Sequence, residues 1–526
     1  MKILIADSLS PEGIEILRSQ SDCQVEVRED IDPATLRSII GEYDALIVRS
    51  RTQVTADIIR AGRKLRLIGR AGVGVDNVDV PEATRRGIIV LNAPEGNTLS
   101  TCELTMGMIL ALARKIPSAV ASTRQGKWEK KQFAGCELHG KTLGIVGLGR
   151  IGREVARRAA AFGMSVLAAD PFCTPDMAKR AEVKLVPLEQ VLREADFITI
   201  HAPLTDDTRG MIGPQQFNLM KDGVYLINCA RGGIVDEAAL VAALQSGKVA
   251  GCALDVFEKE PPGDHPLLEF DQVIATPHVG ASTSEAQASV AVEIARRVLD
   301  ALRGGPIYTA VNMPRLDPQL LQAIGPYISL AEKMGRLVAQ MADGPVSSLM
   351  VTYTGEMTQH DVAPITAALT KGLLTPALGD EVNAISAPAI AAERGIAIIE
   401  AKSDQVSEFS NFIAVEARCD TRQLQLGATL FSRGEARIVR INGYHVDVVP
   451  EGYLLICTNQ DKPGAIRHLS SVLAEDGINI GSMTVGRDRP GGTAVTVVNI
   501  DQPPSPQALL RIRSYPIILD ARLVQL

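Results

Sequence analysis

The sequence predicts an α/β protein with two doubly wound, parallel-sheet units, followed by an α+β unit and a ferredoxin-like βαββαβ unit. Three observations predict it. Short apolar strands alternate with helix-period segments from the start to about residue 284. A strand–glycine turn–helix–strand segment, KTLGIVGLGRIGREVARRAAAFGMSVLAADP, begins only at Lys141. The stretch 451–526 parses as strand, helix, strand, strand, helix, strand.

A chain of 526 residues is too long for one core, and about 100–200 residues per domain implies several. Its net charge of −7 argues against general binding of nucleic acid or anionic membranes. No segment reaches the run of about 18 apolar residues that a membrane span needs. The eight cysteines lack CxxC pairs and zinc spacing, which points to reduced thiols in a cytoplasmic protein and no metal.

In order, KILIAD, QVEVRE, ALIVRS, LRLIGRAG and GIIVLNAP read as strands buried on both faces. Between them SPEGIEILRS, DPATLRSIIGEY and TADIIRAG carry helix spacing, with Ser or Asp as N-caps. TLSTCELTMGMILALARKIPSAVASTRQG is predicted as one long helix. Strand–helix alternation resumes with the glycine segment and runs through SVLAADP, DFITIHAP, GVYLINCARGG, GCALDVFEKEPP and DQVIATPHVGAST. The alanines of SEAQASVAVEIARRVLDALRGG suit a closely packed helix. After the MPRLDPQ linker, helices and then strands with glycine turns are expected up to residue 450.

Gly147-x-Gly149-x-x-Gly152 joins an apolar strand to a helix. Gly147 permits the tight turn, Gly149 lets backbone approach a pyrophosphate, and Gly152 lets helix and sheet pack closely. Asp170 ends the next strand 18 residues later, where a carboxylate can bind ribose hydroxyls and repel a 2′-phosphate. The pattern predicts a Rossmann-like NAD site.

Downstream, Arg231, Asp255, Glu260 and His278 each follow an apolar strand, where ligands sit in open α/β sheets. Arginine can hold a carboxylate bidentately. Histidine can exchange a proton with an alcohol at neutral pH, and a glutamate can orient its ring. Singly, Arg231 also reads as a surface turn, Glu260 as a turn cap before Pro261 and His278 as a loop histidine. Their joint occurrence suits hydride transfer at an alcohol beside a carboxylate.

LGIVGLGRIG, NCARGGIVDE, ALDVFEKEPP and TPHVGAST resemble the signatures of the D-isomer-specific 2-hydroxyacid dehydrogenases. VRSRT, GRAGVGVDNVD, NAPEGNT and GKWEKKQFAGCELHGKTLGI resemble its long form, which acts on a phosphorylated acid, and the likeness covers essentially the whole chain. The resemblance implies a substrate-binding domain from residues 1–97 and 285–315, with an NAD-binding domain, 98–284, inserted between them. It also implies an intervening domain of the allosteric substrate-binding type, 316–450, and an ACT regulatory domain, 451–526.

The implied activity is NAD-dependent oxidation of D-3-phosphoglycerate to 3-phosphooxypyruvate, the first step of L-serine biosynthesis. Interconversion of 2-oxoglutarate and 2-hydroxyglutarate is an implied side reaction. Arg231 would bind the substrate carboxylate, His278 would be the acid/base and Glu260 its partner. Arg150 and Ile151 would offer backbone to the pyrophosphate, Asp255 would contact the nicotinamide end, and Cys229, Ala230, Arg231, His278 and Gly280 would line the cofactor cleft. Ala202 stands where some relatives carry threonine, so it offers no hydroxyl.

Arg49 and Arg70 end strands of the first unit, and two guanidiniums with the Gly72, Val73 and Gly74 amides could bind a phosphate. Surface ion pairing is the alternative for these arginines. In ACT modules amino acids bind at turns like NQDKPG and DGINIGSM, which implicates Asn459, Asp461 and Asn479 in binding an effector, L-serine. Asn459 and Asp461 equally read as residues that shape the turn. A homotetramer or homodimer follows by analogy. The competing readings are a dehydrogenase of an unphosphorylated D-2-hydroxy acid and an NAD-sensing protein of the corepressor type.

Overall fold

The computed structural model describes residues 1–305, 307, 310–314, 318–379, 382–404, 408–419, 423–431 and 434–526. The expected boundary at 315/316 and residues 315–317 of the MPRLDPQ linker lie outside the described residues.

The first sheet contains β1 (Lys2–Ile5), β2 (Gln24–Val27), β3 (Ala45–Val48), β4 (Leu67–Arg70) and β5 (Ile89–Asn92). They run parallel in the order β2-β1-β3-β4-β5. All four residues of β3 are buried, as expected for a strand covered on both faces. Helix Ser284–Leu302 returns from far along the chain to cover one face, through Val290, Ile294 and Val298. Gly13 lets helix Pro11–Arg18 cross it closely, since a Cβ there would fall 2.6 Å from the Ala291 carbonyl.

The second sheet holds β6 (Thr142–Val146), β7 (Ser165–Ala169), β8 (Lys184–Leu185), β9 (Phe197–Ile200), β10 (Val224–Asn228), β11 (Val249–Leu254) and β12 (Val273–Ala275). The order is β12-β11-β10-β9-β6-β7-β8 and every pairing is parallel. Strand order reverses between β6 and β9, the switch point where doubly wound sheets open a ligand crevice.

The third sheet comprises β13 (Val346–Gly355), β14 (Ala397–Ser403), β15 (Asn411–Cys419), β16 (Gln423–Phe431), β17 (Glu435–Ile441) and β18 (Tyr444–Val448), in the order β14-β13-β15-β16-β17-β18. Helices Pro318–Met341 and Ala363–Leu378 pack together so closely that a Cβ on Gly335 or Gly372 would stand 2.0 Å from the other helix's backbone. The fourth sheet, β19 (Tyr453–Gln460), β20 (Ile480–Arg487), β21 (Thr493–Ile500) and β22 (Ile518–Gln525), is antiparallel in the order β20-β21-β19-β22. Helices Ala465–Glu475 and Pro506–Arg513 complete the βαββαβ order. One sheet face shares a core with these helices, while Leu454, Ile456 and Val497 on the other join the core of the third unit.

Three local expectations are corrected. The predicted long helix is two helices, Thr98–Ala113 and Ile116–Arg124, because Lys115 takes a left-handed conformation (φ 51°). Strand β13 stands among the helices of the third unit instead of after them. Ser10 does not cap its helix, whereas Asp32 accepts from the Ala34 and Thr35 amides at 3.0 Å. Among the described residues no single helix is long and apolar enough to cross a membrane.

Candidate active site

A cleft of about 730 Å³ opens where the first two sheets face each other, and residues from both line it. On the nucleotide side, Gly147 turns the chain with φ 95°, and a Cβ on it would lie 2.6 Å from the His201 carbonyl at the end of β9. Gly152 is equally constrained, since its Cβ would meet the Gly147 carbonyl at 2.3 Å. Gly149, by contrast, faces open space for 4 Å. It begins helix Arg150–Ala161, so the first-turn amides of Arg150 and Ile151 have no helical acceptor. Asp170 accepts from the Leu148 and Phe172 amides, both at 2.8 Å, which fixes it against the glycine turn.

The chemistry-bearing side chains converge from three strand ends. His278 Nδ1 is 2.8 Å from Glu260 Oε2, and the other carboxylate oxygen of Glu260 accepts from the Phe257 amide at 3.1 Å. This leaves Nε2 as the ring nitrogen free to meet a substrate. His278 has a left-handed backbone (φ 54°), a costly conformation held by its surroundings. Asp255 is 1% exposed and accepts from Thr276 Oγ1 (2.6 Å) and from the Val279 and Gly280 amides (2.8 Å each). It lines the cleft, yet its carboxylate chiefly pins the His278 loop.

The turn after β10 is braced by Asn228, which donates to the Arg231 carbonyl (2.9 Å) and accepts from the Ala230 amide (3.0 Å). It presents Cys229, Ala230 and Arg231 to the cleft, and Ala202 joins them after β9. Burial raises the Cys229 thiol to about 12, so it is no nucleophile. Arg231 Nε donates to Asp76 Oδ2 at 3.2 Å, a carboxylate from the first sheet's loops.

Arg49, Arg70, Gly72, Val73 and Gly74 line the opposite wall. The Arg49 amide is fixed by buried Asp7 at 2.6 Å, and its guanidinium reaches the Ser8 carbonyl at 3.2 Å. Arg70 lies over Gly72, whose missing side chain leaves room for the guanidinium. Burial, then the neighbouring charges of Arg231 and Arg49, lower the Arg70 pKa to about 10, so an arriving anion would be strongly favoured.

Sequence reasoning missed Asp76, Asn97, His201 and Asn228. Arg70 Nε, Asn97 Oδ1 and His201 Nδ1 are buried without a hydrogen-bond partner among the described residues, and all three residues line this cleft. Buried polar groups without partners are rare in folded proteins, so their concentration marks a wall shaped for ligands. Together with the open face of Gly149, the free helix amides and Asp170, they fit a dinucleotide.

The residues expected at the effector turn already hold hydrogen-bond partners. Asn459 is 3% exposed, accepting from Thr496 Oγ1 and donating to the Gln460 carbonyl, both at 2.9 Å. Its side chain is a strut inside the sheet and does not face the turn's surface. Asp461 accepts from the Gly491 amide at 2.9 Å and Arg487 at 3.4 Å, and Asn479 donates to Asp501 at 3.0 Å.

Comparison with known proteins agrees with this architecture. Residues 106–280 match the NAD-binding domain of D-isomer specific 2-hydroxyacid dehydrogenases. Residues 323–442 match the D-3-phosphoglycerate dehydrogenase intervening domain, and 453–516 the ACT domain. The crystal structure of D-lactate dehydrogenase from Aquifex aeolicus, complexed with NAD and lactic acid, is similar at TM-score 0.54 and 29% identity, over 60% of this chain and 100% of that one. The chain is 44% identical to D-3-phosphoglycerate dehydrogenase of Archaeoglobus fulgidus over 100% of both chains. It is 42% identical to the Bacillus subtilis enzyme of that name, over 100% of this chain and 99% of the relative. NAD is the cofactor of the second sheet, and the end-to-end match places the chain in the D-3-phosphoglycerate dehydrogenase family.

Proposed function

We propose that the protein oxidises D-3-phosphoglycerate to 3-phosphooxypyruvate, supplying L-serine biosynthesis. The observation that carries this reading is that Arg49, Arg70 and Arg231 share one cleft with the His278–Glu260 pair. A substrate with a carboxylate, a neighbouring hydroxyl and a distal phosphate has groups for all of them. Arg231 takes the carboxylate, and Arg49 and Arg70 take the phosphate with the amides of the Gly72–Gly74 turn. Bound NAD supplies the hydride acceptor.

His278 Nε2 removes the hydroxyl proton as the carbonyl forms. Glu260 holds the ring in register and offsets the positive charge that develops on it. The glycine turn and the Arg150 and Ile151 amides bind the pyrophosphate, Asp170 the adenosine ribose, and Ala202, Cys229, Ala230, Asp255 and Gly280 wall the cofactor. Closure of the two units around the substrate excludes water from the reaction. L-Serine is the proposed effector of the ACT unit, and a homo-oligomer the proposed working form.

The test follows NADH absorbance with NAD and 3-phosphoglycerate beside D-glycerate, at alkaline pH with the oxo product trapped. Wild type should prefer the phosphorylated acid. Arg70→Ala should lower kcat/KM for it about 10- to 100-fold, the worth of a charge-assisted contact, and leave D-glycerate nearly unchanged. Equal turnover of both acids by wild type would remove the phosphorylated substrate from the proposal.

A further inference from the structure

The loop from Gly72 to Asp79 joins the substrate wall to helix Val80–Arg85, and its polar side chains have separate tasks. Asn77 ties the Arg49 and Thr52 carbonyls together at 2.7 and 2.6 Å. Asp79 caps the helix through the Glu82 amide at 3.0 Å. Asp76 has neither kind of local task. Its one hydrogen bond among the described residues goes across the cleft to Arg231, 155 positions away in sequence.

The site is built around that contact. A Cβ on Gly74 would lie 1.8 Å from Arg231 Nη2 and 2.6 Å from Asp76 Oδ2, so the pair occupies the volume a side chain would need. Among the described residues Arg231 is otherwise held only through Nη1, which donates to the Ala230 carbonyl at 2.7 Å. The Asp76 side chain is 66% exposed and that of Arg231 25%, so the carboxylate stands on the solvent side and can leave without disturbing the core. Asp76 also opposes the effect of Arg231 and Arg49 on the Arg70 guanidinium, as a resident negative charge among three positive ones must.

We propose that Asp76 is a resident counter-ion for Arg231, which the substrate carboxylate replaces on binding. This rests on Arg231 as the carboxylate site. Entry of the acid is then an exchange of one carboxylate for another on the same guanidinium. Asp76 keeps Arg231 extended into the cleft in the free enzyme, and its competition weakens the apparent affinity for the acid. It is a positioning residue and takes no part in proton or hydride movement.

Steady-state kinetics of the full-length enzyme with NAD and 3-phosphoglycerate test this. Asp76→Asn, a weaker competitor of similar shape, should lower KM for the acid three- to tenfold, with KM for NAD unchanged and kcat equal or lower. Inhibition by acetate, a carboxylate with no hydroxyl to oxidise, should tighten in proportion, and Asp76→Glu should restore wild-type behaviour. In an Arg231→Gln background the Asp76→Asn change should have no further effect on KM. An unchanged or raised KM in Asp76→Asn, with NAD binding intact, overturns the exchange and makes Asp76 a simple support for Arg231. If Arg231→Gln alone keeps the wild-type KM, the carboxylate assignment itself falls, whatever Asp76 does.

Discussion

The cleft between the first two sheets and the turn of the fourth sheet carry similar residue types in opposite states. In the cleft, Arg70, Asn97 and His201 each retain a buried polar atom without a partner among the described residues, and His278 presents a ring nitrogen away from Glu260. At the turn, Asn459, Asp461 and Asn479 are hydrogen-bonded to Thr496, Gly491 and Asp501. Unsatisfied polar groups cost stability, and a fold retains them where a ligand repays the cost. Satisfied ones cost little and hold shape. Apart from the Asp76–Arg231 pair, the cleft therefore offers groups ready to bind as they stand, whereas an effector at the turn must exchange bonds at every one of these residues.

The strongest way to break this comparison is at His278. His278→Ala should lower kcat about 10²- to 10⁴-fold, the usual worth of a positioned acid/base group, while the NAD dissociation constant stays the same. Glu260→Gln keeps a hydrogen-bonding group of similar shape but removes its charge, and should lower kcat by a smaller factor. Parallel losses of NAD affinity in both variants would mean the pair supports the loop and not the proton transfer.

His201 sharpens the same contrast through pH. Burial pushes its pKa down to about 4, while its residue still reaches the cleft wall. A histidine in an unfolded chain titrates near pH 6.5, so below that pH the unfolded state takes up a proton that the native state refuses. The stability it contributes is complete above about pH 6.5 and is lost as pH falls toward 4, by at most about 3 kcal/mol. Thermal unfolding of wild type and His201→Asn between pH 7 and pH 4.5 measures this. The variant should lose less stability on acidification, and an identical loss in both proteins would place the acid sensitivity elsewhere.

What the sequence disclosed divides along the same line. The glycine turn, Asp170 and the strand-end positions of Arg231, Glu260 and His278 were legible because each depends on a local strand–turn–helix or strand–loop pattern. The contact of Asp76 with Arg231 was not, since it joins residues 155 apart and exists only once two sheets face each other. His201 was hidden for a related reason, because burial sets its state and burial is tertiary. The helix break, by contrast, carried a local mark that went unread: Pro117, two residues after the left-handed Lys115, cannot continue a helix and stands in the first turn of the second one. Asn459 is a different kind of miss. Strand periodicity puts it on the same face as Leu455 and Cys457, which are core residues, but its place in the NQDKPG turn drew the reading outward.

The smallest expected effect lies at the turn, and Asp461 is the residue to change. Removing its carboxylate in Asp461→Ala leaves the Gly491 amide and Arg487 without that acceptor, at a cost of about 0.5–1.5 kcal/mol confined to the exposed turn. Activity without serine should stay within about twofold, because none of these bonds reaches the cleft. Under the proposed regulation, L-serine must compete for the bonds that Asp461 already makes, so its binding should be weak in wild type and weaker still in the variant. A serine titration of NADH formation, run on both proteins, separates the cases. Inhibition that survives Asp461→Ala unchanged moves the effector to other residues, and wild-type activity indifferent to millimolar serine makes the bonded turn purely structural.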